Sequence, residues 1–171
     1  MPNYRRYHTL FRPVFVTVVT HQRRRWLKDS KRIDLLLTSM KMVKEKHPFH
    51  HIAYVFLPDH LHWLLEPSPS TNISKIIAAV KREVTWRMKE QQVNIKPLWQ
   101  PRFYDHVIRD EDDFARHLDY IHFNPVKHGL VQAATKYPHS SFAAWVENGV
   151  YTKEWGSAEQ PPKHIVDMDL E

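Results

Sequence analysis

Apolar residues along this 171-residue chain follow two periods, and the switches between them mark out its elements. Val14 to Thr20 is a β-branched run, Val-Phe-Val-Thr-Val-Val-Thr, which predicts a buried strand. Between Lys31 and about Lys46, Ile33, Leu36, Leu37, Met40 and Val43 recur at the 3.6-residue helical period. Asp29 or Ser30 can cap that helix, and Pro48 ends it. Ile52 to Phe56 predicts a second strand, with Leu57-Pro58-Asp59 as the turn into a third that runs to Leu65 and closes at Pro67 and Pro69. Thr71 or Asn72 caps a second amphipathic helix, with Ile73, Ile76, Ile77, Val80 and Val84 on one face. Phe103 to Ile108 predicts a fourth strand of mixed pattern. Asp110 to Asp113 form the acidic first turn of a third helix, which Pro125 is expected to end. A looser segment follows, with Gly129, Pro138 and an Asn148-Gly149 turn.

The element order β-α-β-β-α-β plus one helix fits an α+β, ferredoxin-like split βαβ fold. It predicts a four-stranded antiparallel sheet with two helices on one face, the third strand in the middle, and the extra helix against the other face. Residues 1–155 read as a single domain, and the acidic, proline-containing stretch 156–171 as a disordered tail. No apolar run approaches the roughly 20 residues of a membrane span, and the N-terminus lacks a signal-peptide core, so the cytoplasm is the expected setting. The absence of cysteine excludes disulfides, thiolate metal sites and a thiol nucleophile.

Charge narrows the partner. Residues 1–155 carry 24 basic against 15 acidic side chains, and the first 32 hold nine basic ones and a single acid, Asp29. A basic, aromatic-rich domain suggests nucleic acid before a membrane surface. Arg5 and Arg6 lie among aromatics in the N-terminal segment, and Lys75, Lys81 and Arg82 line a basic side of the second helix. These five are the candidate DNA contacts.

The chemistry centres on His60 and His62, two apart in the third strand, so that both imidazoles project to one face. Alone they read as two polar residues on the wet face of a half-buried strand. The third helix holds Phe114, Leu118 and Ile121 as a core stripe, with His117, Tyr120 and Asn124 on another face. Together the two sets complement each other. Two imidazoles and an amide oxygen could hold a divalent cation, and a phenol beside it could attack a phosphate. Two other readings use the same residues. One is a non-catalytic ferredoxin-like module that binds single-stranded nucleic acid on its sheet. The other is a zinc hydrolase, for which the carboxylate of Asp59, pointed away by strand alternation, supplies no obvious base.

Three motifs carry a family resemblance: Leu57-Pro58-Asp59-His60-Leu61-His62; Trp99-Gln100-Pro101-Arg102-Phe103-Tyr104-Asp105-His106; and Asp119-Tyr120-Ile121-His122-Phe123-Asn124-Pro125 continuing to Val131. In this order they resemble the single-tyrosine HUH transposases, above all those associated with repetitive extragenic palindromes (REPs). The resemblance spans roughly Tyr4 to Trp155. It implies that His60 and His62 bind a catalytic Mg²⁺ or Mn²⁺, that Asn124 completes the metal site, and that Tyr120 is the nucleophile. It further implies cleavage of single-stranded DNA near a hairpin, through a 5′-phosphotyrosine with a free 3′-OH. REP-associated members look self-sufficient, which favours a monomer.

Overall fold

The computed structural model describes residues 12–93 and 97–171. Strand β1 (Val14–Val19) leads into helix α1 (Ser30–Lys46), whose first turn is capped by the Asp29 carboxylate accepting from the Arg32 N–H at 3.1 Å. Strands β2 (Phe49–Phe56) and β3 (His60–Pro67) form a hairpin, closed where the Leu57 N–H donates to the His60 carbonyl at 2.8 Å. Helix α2 (Ile73–Glu90) is capped by Asn72, strand β4 spans Tyr104–Val107, and helix α3 (Glu111–Lys127) starts on an Asp110 cap. A short helix, α4 (Phe142–Glu147), falls in the segment that the sequence reads as loose.

The sheet order is β2-β3-β1-β4 with every pair antiparallel, the ferredoxin-like arrangement expected from the element order. Alternation divides its side chains cleanly. Val16, Val18, Leu61, Trp63 and Leu65 face α1 and α2, packing against Leu36, Met40, Ile76, Val80 and Val84. Phe15, Val55 and Leu64 face the other way, against Phe114, Leu118 and Ile121 of α3 and Phe142 of α4. All six residues of β1, and His60 to Leu65 of β3, are buried.

Two expectations change. The wet strand face predicted for His60 and His62 is covered by α3, so the sheet presents no open central platform for stacked bases. Pro125 does not end α3, which runs on to Lys127. A proline in the last turn removes only its own N–H, the one that would reach the Ile121 carbonyl. The end is set instead by Gly129 at φ +67°, where the Leu130 N–H bonds Pro125 O at 2.9 Å and the Gly129 N–H bonds Val126 O at 2.9 Å. This paired closure needs the left-handed conformation that glycine adopts without strain.

Candidate active site

Pairing between β1 and β3 sets Thr17 opposite His62 and Val19 opposite His60, so both imidazoles and the Thr17 hydroxyl share the α3 face. The His62 ring stacks on Phe15 at 5.4 Å, stands 4.9 Å from the His60 ring and meets the Tyr120 ring edge-on at 5.2 Å. Asn124 follows Tyr120 by one turn of α3 and is fully buried. The geometry therefore brings together the four residues that the sequence singles out.

Hydrogen bonds fix the imidazole tautomers. The Asp59 carboxylate can only accept, so His60 Nδ1–H donates to its Oδ1 at 2.7 Å. Asp59 lies in the turn, where strand alternation does not hold, and so touches the site that alternation predicts it to avoid. Thr17 Oγ1 spends its one proton on the Leu170 carbonyl at 2.6 Å. It must then accept from His62 Nδ1–H at 2.8 Å. Both Nε2 atoms are left as lone pairs. His60 Nε2, His62 Nε2 and both polar atoms of the Asn124 amide are buried without a hydrogen-bond partner among the described residues.

Orphaned polar atoms in a folded interior are rare and ask for an explanation. Two neutral imidazole nitrogens and an amide oxygen form a donor set for a divalent cation. Burial, followed by the neighbouring His60, holds the His62 pKa well below its ordinary value, so the ring is neutral and ligand-competent at pH 7. For Asp59, burial favours the acid, but hydrogen bonds from His60 and Arg23 and their charge outweigh it, and its pKa is lowered. The residues present thus fit the Mg²⁺ or Mn²⁺ that the resemblance implies.

Residues 156–171 are not the disordered tail that composition predicts. Their last residues cross the site. The Leu170 N–H donates to Tyr120 Oη at 3.3 Å, and Lys127 Nζ bonds the Met168 carbonyl at 2.8 Å. Glu171 reaches His128 Nε2 at 2.5 Å, Arg23 at 3.8 Å and His60 Nε2 at 3.9 Å. Ile165 is buried, and His164 Nε2–H donates to the Asp119 carboxylate at 2.7 Å. The stretch reads as disordered because its average composition is polar, yet Ile165, Met168 and Leu170 give it an apolar side, and its acids meet a rim of His and Arg. Under this cover Tyr120 is 1% exposed. Burial pushes its pKa up to about 12, with the Leu170 N–H opposing and the Glu171 and Asp169 charges adding. Lys127 Nζ lies 3.5 Å from Tyr120 Oη and 5.0 Å from the ring centroid.

His117, predicted on the Tyr120 face, packs on Phe15 and stacks on His106 at 4.6 Å, while His106 Nε2 bonds Asp113 at 2.7 Å. That cluster ties β4 to the start of α3 and stands outside the orphaned set. Tyr104, the rival nucleophile, is exposed on the edge strand β4. Among the candidate DNA contacts, Arg5 and Arg6 lie outside the described residues. Lys75, Lys81 and Arg82 belong to α2, on the opposite side of the sheet from the histidines. Lys81 is engaged with the carbonyls of Gln100 and Arg102. Sequence reasoning missed Thr17, Lys127 and His128, whose roles depend on strand register and on how the chain folds back.

Comparison with known proteins places the chain in a family. Residues 12–124 match the family model described as Transposase IS200 like. A REP-associated tyrosine transposase of Escherichia coli (strain K12) is 36% identical over 157 residues, covering 91% of each chain. A Haemophilus influenzae protein assigned to the same group is 36% identical over 167 residues, covering 91% of this chain and 94% of its own. A solved REP-associated tyrosine transposase bound to a REP hairpin superposes with a TM-score of 0.77 at 32% identity, covering 96% of both chains. This chain belongs to the IS200-like transposases, in their REP-associated tyrosine branch, and is an enzyme of the tyrosine-nucleophile class.

Proposed function

We propose that the protein cleaves single-stranded DNA beside a hairpin by transesterification at Tyr120, with a divalent cation held by His60, His62 and Asn124. The observation that carries this reading is the set of buried, unpartnered ligand atoms beside the Tyr120 phenol. Bound Mg²⁺ or Mn²⁺ would supply Lewis acidity to the phosphoryl oxygens and orient the scissile phosphate.

The remaining chemistry belongs to the chain. Tyr120 Oη gives up its proton to water and attacks phosphorus, forming the 5′-phosphotyrosine. The P–O3′ bond breaks and the leaving O3′ takes up a proton, so the bond energy is conserved for rejoining. Asp59 and Thr17 hold the imidazoles with Nε2 turned inward. Phe15 wedges His62 against Tyr120 and fixes the ring edge. Lys127 sits where its charge favours the phenolate. The proposed ligand atoms and the phenol lie within one chain, so the site draws on no residue of a second copy. No helix among the described residues is long and apolar enough to cross a membrane.

The metal assignment is tested by calorimetric Mn²⁺ titration of the wild type and of His60→Ala and His62→Ala. Binding lost in both variants, with thermal unfolding still cooperative, supports the site. Wild-type affinity in either variant contradicts it.

A further inference from the structure

A groove of about 820 Å³ runs between α2 and the segment 97–103, on the side of the sheet remote from Tyr120. Along α2 it follows Ser74, Ala78, Arg82, Trp86 and Lys89, a stripe about 22 Å long at 1.5 Å per residue. Phe103 forms part of the opposite wall. Lys81 braces that wall through its bonds to Gln100 and Arg102 and its position 5.9 Å from the Phe103 ring. No carboxylate is among the described residues that line the groove.

The contents are unusual for an ordinary helix surface. Trp86 is 51% exposed, whereas Trp26, Trp63 and Trp99 are buried and Trp145 and Trp155 partly so. The Arg87 guanidinium stands 6.0 Å from its ring, held by Glu83 at 2.9 Å. Arg82 and Lys89 are exposed and make no ion pair among the described residues. Small side chains at Ser74 and Ala78 leave the floor open. An indole face beside the unpaired cations Arg82 and Lys89, in a groove lined by no acid among the described residues, matches the chemistry of an unpaired nucleic-acid strand. A duplex hides its base faces and would leave the indole unused.

We infer that this groove is a second, non-catalytic site for an unpaired stretch of the DNA strand, one base stacking on Trp86 and phosphates meeting Arg82 and Lys89. The inference rests on the proposed DNA substrate and adds where a distal part of it is held. Phe103 lines the groove, and the next residue, Tyr104, pairs with Thr17 and is 43% exposed on the catalytic side. A strand rounding the β4 edge meets these two rings in succession on its way to Tyr120.

The test is fluorescence anisotropy with two labelled oligonucleotides, a hairpin carrying an unpaired extension and the same hairpin cut blunt. Trp86→Ala is expected to weaken binding of the extended hairpin on the order of tenfold and to leave the blunt one unchanged. Trp86→Phe restores most of the loss. Arg82→Ala with Lys89→Ala should lower the log–log salt slope by about 1.4, at roughly 0.7 per phosphate on a single strand. Adduct yield at saturating DNA stays at the wild-type level in both Trp86 variants. Unchanged affinity for the extended hairpin overturns the inference. So does an equal loss on both hairpins, which would put the stem in the groove, or failure of the wild type to bind either. A wild type that binds but forms no adduct defeats the proposed reaction and leaves the Trp86 comparison as the test of the groove.

Discussion

At His60 and His62 one hydrogen bond each decides which ring nitrogen is left for a ligand. Asp59 makes that choice for His60, and Thr17 for His62 through a hydroxyl whose proton is already committed to Leu170. Partners of this kind typically change metal affinity 10- to 100-fold. Asp59→Asn keeps the shape and removes the charge, so Mn²⁺ affinity should fall by about that factor while the histidines stay in place. Equal affinity in calorimetry would show that the carboxylate does not orient the ligand. The pairing of His60 and His62 on one face was legible from their two-residue spacing. Asp59 was not, because its contact depends on the turn conformation, and Thr17 was not, because finding it requires the β1–β3 register.

Helix α3 carries both the proposed nucleophile and the proposed amide ligand, and its burial has a pH signature. His122 lies between Ser141 and Tyr151, and burial lowers its pKa to about 3. Burial does the same to His51, to about 4. In the unfolded chain these imidazoles titrate near 6.5, so below that pH the unfolded state takes up protons that the folded state refuses. Stability should therefore be full above about pH 6.5 and decline as pH falls toward the folded values. At pH 5 His122 alone contributes a loss of roughly 2 kcal/mol, at 1.36 kcal/mol per pH unit. Urea midpoints at pH 7.5 and 5.0 measure it, and His122→Gln should flatten the difference. The strand and helix order was legible because the apolar period switches cleanly at each element, and with it the sheet topology. The end of α3 was misread because Pro125 is a strong signal in isolation, while the closure at Gly129 involves several residues at once.

For the whole molecule, the governing fact is that Tyr120 is shut in by a segment of its own chain. For Tyr120 to attack a phosphate as proposed, residues 167–171 must lift away from a phenol that is 1% exposed and whose pKa burial raises to about 12. Deleting Asp167 to Glu171 keeps Ile165 in its pocket but removes the Leu170 and Glu171 contacts. Adduct formation on a hairpin oligonucleotide should speed up, with unfolding little changed. An unchanged or lower rate would mean that the tail is not the barrier. This cover was not legible, since composition averages conceal the few apolar residues that anchor it.

The central claim is that Tyr120 attacks the phosphate. It is tested by incubating the protein with Mn²⁺ and a single-stranded hairpin oligonucleotide, trapping the covalent product and locating it by peptide mass spectrometry. The account predicts a phosphotyrosine at Tyr120, and no adduct from Tyr120→Phe, which still binds the hairpin and Mn²⁺. Loss of one buried hydroxyl that accepts two long hydrogen bonds should cost about 1 kcal/mol of stability, which leaves the fold intact. An adduct on Tyr104 or any other tyrosine, or one that persists in Tyr120→Phe, would contradict it.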